Sequence, residues 1–168
     1  MDRPECIQNA GIILLHPFLS TLFLRLRLTH EGLFVGSAAQ QRAVFLLQYI
    51  VTGNITATDN NLFLNKILCG LSPTDKVAMG IELSGEEVTI AGELLQVVIQ
   101  QWDKIKNTSV EGFRSSFLQR EAMLTFVDGA WQMKIEQRGY DVLLQTLPWN
   151  IGMIKTNWMP QFLYAEWL

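Results

Sequence analysis

Residues 123–136 read MLTFVDGAWQMKIE, and their reading decides the fold class. Met123, Thr125 and Val127 alternate with Leu124 and Phe126 up to Asp128-Gly129; beyond it Trp131, Met133 and Ile135 alternate with Gln132, Lys134 and Glu136. A period of two is that of a strand, and Asp-Gly supplies the two positive-φ residues that a type I′ turn demands, so the spacing predicts a β-hairpin. Upstream of Arg120 apolar residues recur at three and four instead, which is the helical period. The expected fold is α+β, mainly α, with about five helices, a C-terminal hairpin and short extended segments.

Working back from the hairpin, a helix is expected over Ser109 to Gln119, with Gly112 as its weak point. The longest helix is expected over Glu86 to Lys106. Ser84 and Glu87 form a capping-box pair, Ala91, Leu94, Leu95, Val98, Trp102 and Ile105 make one apolar stripe, and Glu93, Gln96, Gln100, Gln101 and Lys104 take the opposite face. Asp59 to Cys69 reads as a helix closed by Gly70, and Ala38 to Val51 as one closed by Thr52-Gly53-Asn54. Pro17 suits a first helical turn, where a missing N–H costs nothing, and leads into Phe18 to Leu26 before a turn at THEGL, residues 29–33. Downstream of the hairpin, Tyr140 to Leu144 fits either a helical turn or a strand. Ile151 to Lys155 and Gln161 to Trp167 read as extended pieces bounded by Pro148, Asn150 and Pro160. We expect one domain over 1–168, with a helical body at about 10–119 and a hairpin and Trp-rich tail at about 121–168.

Composition narrows the function. Hydrophobic residues make up 49% of the 168 and charged ones only 17%, below the roughly 25% of an ordinary soluble domain. The net charge is −3 and the basic residues are scattered, so there is no electrostatic footprint for a nucleic-acid backbone and no nucleic-acid partner is expected. The apolar run from Ala10 to Leu24 is interrupted by His16-Pro17 and is too short to span a bilayer. The acidic, proline-containing lead has no small-x-small site and argues against a signal peptide, so assembly in the cytoplasm is expected. Cys6 and Cys69 stand alone, as structural thiols of a reducing compartment.

The search for chemistry finds little. His16 and His30 have no carboxylate or cysteine at ligand spacing, so no metal is expected. No serine sits in a G-x-S-x-G elbow, no phosphate loop is present, and the one adjacent acid pair, Glu86-Glu87, is explained by capping. Neither an enzyme nor a cofactor is expected.

The aromatics remain. Residues 147–167 read LPWNIGMIKTNWMPQFLYAEW, carrying three tryptophans and two methionines but only Lys155 and Glu166 as charges. Such a segment is either an outer layer of core or an interface, where Trp, Tyr and Met are enriched and charge is depleted. As an interface it would use Leu147, Trp149, Met153 and Trp158, followed by Met159, Phe162, Tyr164 and Trp167, with Trp149 and Trp158 as anchors.

Several blocks taken together carry a resemblance. NAGIILLHPFL (9–19), QQRAVFLLQYIVTG (40–53), LFLNKILCGL (62–71), the stretch from Leu94 to Glu121 and the stretch from Tyr140 to Trp167 resemble the conserved C-terminal region of the tape measure proteins of bacterial contractile injection systems, the phage-tail-like sheathed syringes. The likeness runs from about residue 7 to 167 and departs from the family's pattern at Glu121 and Asn157. It implies a non-catalytic assembly domain, resembling the end domain of a protein that controls tube length and docks at the baseplate or hub. Its partners would be the inner tube, baseplate or hub and other copies of itself, first in the cytoplasm and then within the particle, with no membrane insertion by this region. Even one straight helix of this length would reach only about 250 Å, and the compact chain has an expected radius of gyration of about 15 Å. The likeness therefore concerns the end domain, not the ruler. A second class of function fits the same composition: a small cytoplasmic adaptor or chaperone that binds an apolar segment of a partner.

Overall fold

A computed structural model describes residues 3–55 and 62–167. Strand β1 (Glu5–Ile7) leads into a 3₁₀ helix at Ala10–Phe18 and then α1 (Leu19–Arg25). Ala10 to Leu15 are buried without exception. A run apolar on every side has no amphipathic stripe, which is why its period did not reveal the 3₁₀ turns. The expected turn at residues 29–33 is a small ribbon, β2 (Thr29–His30) paired with β3 (Leu33–Phe34), reversed by Glu31 and Gly32 at φ 52° and 82°.

α2 (Ser37–Thr52) ends as expected, with Gly53 in the left-handed region and its N–H on the Tyr49 carbonyl. α3 (Phe63–Leu68) follows; the expected start of this helix at Asp59 lies outside the described residues. In α4 (Gly85–Gln101) the capping box is complete. Ser84 Oγ accepts from the Glu87 N–H at 3.1 Å, and Glu87 Oε1 accepts from the Ser84 N–H at 2.7 Å. α4 does not reach Lys106 as an unbroken helix. It breaks at Trp102, whose buried indole Nε1 donates to Thr146 Oγ1 at 2.9 Å, and resumes as a 3₁₀ turn at Asp103–Ile105. The helix expected from Ser109 is α5 (Val110–Phe113), capped by Ser109 Oγ, and it widens into a π-helical turn at Arg114–Leu118. There the buried Arg114 donates Nε to the Ile50 carbonyl at 2.9 Å.

The hairpin is β4 (Ala122–Val127) and β5 (Ala130–Ile135), reversed by Asp128 at φ 53° and Gly129 at φ 79°. A 3₁₀ helix spans Gly139–Thr146, so the helical reading of Tyr140 to Leu144 holds. β6 (Met153–Ile154) and β7 (Leu163–Glu166) complete a five-stranded sheet of order β1-β4-β5-β7-β6. All neighbours are antiparallel except β5 and β7, whose connection is long enough for the crossover a parallel pair needs. With most of the helices before the hairpin and a largely antiparallel sheet built mainly from the later strands, the architecture is α+β with helix dominant.

The inner face of the sheet presents Leu124, Trp131, Met133, Ile135, Ile154 and Leu163, all buried against the helices. One continuous core joins the two halves. Arg25–Glu93 and Arg27–Glu86 tie α1 and the turn after it to α4, but these pairs are exposed and contribute little.

Candidate functional site

The tail reaches the helical body through its tryptophans. Trp149 packs edge-on against Phe18, with centroids 5.1 Å apart, and donates Nε1 to the Leu14 carbonyl at 2.9 Å. Beside it the His16 Nε2 lies 2.6 Å from the Asn150 carbonyl oxygen, and burial lowers the pKa of that imidazole. Trp158 fills a notch between Phe23 and Phe34, 5.4 Å from each, and donates Nε1 to the Leu68 carbonyl at 2.7 Å. The notch depends on Gly70, which has φ 82° and whose missing Cβ would stand 2.4 Å from the Trp158 carbonyl oxygen. Only glycine fits both demands.

Each residue expected at an interface now has a place. Met159 and Trp167 are buried; Leu147, Trp149 and Trp158 are half-buried against the core. Met153, Phe162 and Tyr164 are exposed by 54%, 40% and 41% and lie on the outer face of β6 and β7. Because Trp158 is enclosed on two sides and hydrogen-bonded, Trp158→Ala is expected to lower stability by about 3 kcal/mol. Urea unfolding checks it, and a loss below about 1 kcal/mol would assign the ring's main contribution to contacts outside this chain.

Strand register extends the exposed patch. Cys6, Met123, Lys134 and Glu166 form one row across β1, β4, β5 and β7; Thr125, Gln132, Tyr164 and Met153 form the next across β4, β5, β7 and β6. Met123 is 46% and Val127 43% exposed. Neither was singled out from sequence, although the signal was there: β4 is apolar at nearly every position, whereas a one-sided antiparallel strand alternates with polar residues. Pro4, Met123, Thr125, Gln132, Lys134 and Tyr164 line a shallow groove of about 540 Å³ across this face.

A second cluster sits on the other side of the sheet. Arg120 is wholly buried and forms a bidentate pair with Asp141, Nη1 to Oδ2 at 2.7 Å and Nη2 to Oδ1 at 2.5 Å. Its remaining donors go to the Ser116 and Glu136 carbonyls, so all five N–H groups are used. Phe117, Tyr140 and Trp167 present ring faces 5.4–5.7 Å from the guanidinium carbon. Asp141 also accepts from the Arg138 N–H and from Trp167 Nε1. Burial alone would raise the Asp141 pKa, but the hydrogen bonds from Arg120, Arg138 and Trp167 outweigh it and hold the carboxyl below the usual carboxylate range. With every donor occupied, the cluster binds the sheet to the π-helical turn and leaves nothing to grip a ligand.

Among the described residues, no group of three or more His, Cys, Asp or Glu side chains is placed to hold a metal ion, and no helix is long and apolar enough to cross a membrane. The Cys69 thiol is fully buried, and burial raises its pKa. The arrangement suits packing and docking.

Compared with known proteins, the chain matches the family model described as contractile injection system tape measure protein over residues 2–167. No curated protein and no solved structure matches it.

Proposed function

Since the chain belongs to the contractile injection system tape measure protein family, we propose that it is a non-catalytic assembly domain. It docks onto other components of the sheathed particle, at the inner tube, baseplate or hub, through the outer face of its five-stranded sheet. The observation that carries this reading is the clustering of Met123, Val127, Met153, Phe162 and Tyr164, each at least 40% exposed, on one side of one sheet. Scattered apolar residues need no explanation, whereas methionine and aromatic side chains gathered on one sheet face, with a few polar ones among them, mark a protein-binding surface. The tryptophans support the same role from within, by fixing the loops that carry β6 and β7 to the helical body. Tube-length control then belongs to an extended segment acting with this domain, which anchors one end. Assembly proceeds in the cytoplasm, before the domain is enclosed in the particle.

The test replaces Met153 and Tyr164 by lysine in cells that make the particles, scored by electron microscopy. Both side chains face solvent, so the purified double variant should keep its stability to within about 1 kcal/mol. Sheathed tubes should be absent, stunted or uncontrolled in length. Particles of normal number and length would overturn the reading.

A further inference from the structure

The outer sheet face is complementary to itself. Lys134 on β5 and Glu166 on β7 are register partners near the C-terminal ends of these two strands, yet neither belongs to an ion pair among the described residues. One row along, Gln132 partners Tyr164. At the hairpin end the small Ala130 lies one residue before Trp131 and the bulky Phe162 one residue before Leu163, and Trp131 and Leu163 are partners. Phe162 stacks on Tyr164, centroids 5.9 Å apart, which fixes both rings on the outer side. Because β5 and β7 are parallel, a two-fold axis running along the strands midway between them lays β5 of one molecule over β7 of another without changing the row. Lys134 then faces Glu166 of the second molecule, Gln132 faces Tyr164, and Ala130 leaves room for Phe162. By symmetry each contact forms twice.

We propose that the outer face is covered by the same face of a second copy of this chain, in a two-fold sheet-on-sheet dimer about that axis. The proposal rests on the reading of this face as a docking surface and names its occupant. Opposite charges side by side, and a small residue across from a large one, give this patch the self-complementarity that a two-fold contact with a second copy uses. The sheets would pack in the aligned manner, about 10 Å apart, which places the side chains of opposing rows in contact.

Sedimentation velocity over a concentration series tests it, because charge reversal predicts a particular pattern. Lys134→Glu sets glutamate over Glu166 and Glu166→Lys sets lysine over Lys134, so each change alone should weaken the dimer by at least about tenfold. The two together exchange the charges and should restore association to near the parent level. A chain that stays monomeric at every concentration, or a dimer indifferent to both single changes, would overturn the proposal. The docking reading fails separately. A monomeric parent whose Met153→Lys/Tyr164→Lys variant still loses particles sinks the second copy and keeps docking. Charge-swap rescue alongside normal particles from that variant keeps the dimer and sinks its assembly role.

Discussion

Gly11→Ala is expected to cost about 4 kcal/mol or more, an exceptional loss for one methyl group. A Cβ at Gly11 would stand 1.7 Å from the Phe117 carbonyl oxygen and 2.5 Å from the Leu118 Cα. Both are backbone atoms, so no side chain can swing aside. The segment is held there by the Ala10 N–H on the Arg120 carbonyl at 3.0 Å. To admit the methyl, the 3₁₀ helix must withdraw from the π-helical turn, and Ile12, Ile13, Leu14 and Leu15, all fully buried, must move with it. At roughly 2–4 °C per kcal/mol for a domain of this size, the melting temperature should fall by about 8–16 °C. Gly92 on α4 is the control, since an added Cβ there meets nothing within 4 Å. Gly92→Ala should leave stability unchanged or raise it by up to about 1 kcal/mol. If Gly11→Ala melts with the parent protein, the close approach of the 3₁₀ helix to the π-helical turn is wrong.

Asp141→Asn should remove about 3–5 kcal/mol, because it leaves the Arg120 guanidinium buried without its counter-charge. Arg120→Met combined with Asp141→Leu should recover much of that loss, since neither charge is then buried alone. Acid dependence follows from the same pair. The folded pKa of Asp141 lies below its unfolded value, so its stabilisation is present above the ordinary aspartate range near 3.9 and is lost as pH falls through the lower folded value. Glu87 acts in the same direction: burial would raise its pKa, but Arg42 and Ser84 together hold it down. Urea midpoints measured from neutral pH downward should therefore fall steeply for the parent protein and less steeply for Asp141→Asn. Equal slopes would show that the pair does not govern acid stability.

How much of this was legible depended on whether a signal was local. The Asp128-Gly129 turn, the Ser84 capping box and the Gly53 cap each involve residues within a few positions of one another, and each appears where the sequence put it. β1 was not legible. Three residues cannot display a period, and its partner Ala122–Leu124 lies far along the chain. The breaks in the two later helices were hidden for a related reason, since they answer to tertiary demands: Trp102 reaching Thr146, and Arg114 reaching Ile50. At the site, composition singled out the aromatic tail but could not sort it. Trp167 and Met153 look equally suited to an interface by residue type, yet one seals the Arg120 cluster and the other faces solvent. Only the faces set by the pairing of β7 with β5 and β6 divide them.

That sheet also imposes an order on biosynthesis. Its first strand is made long before it can pair: the partner of Glu5–Ile7 is made only when residues 122–124 leave the ribosome, and β7 comes later still. Until then the nascent hairpin holds Trp131 and Met133 without their neighbours from β7, a sticky surface at the stage when chains are most prone to mispair. Pairings so distant along the chain also close slowly. The helices of residues 10–118 are complete earlier and can collapse first, so translation itself arranges for a finished platform to be waiting when the strands arrive.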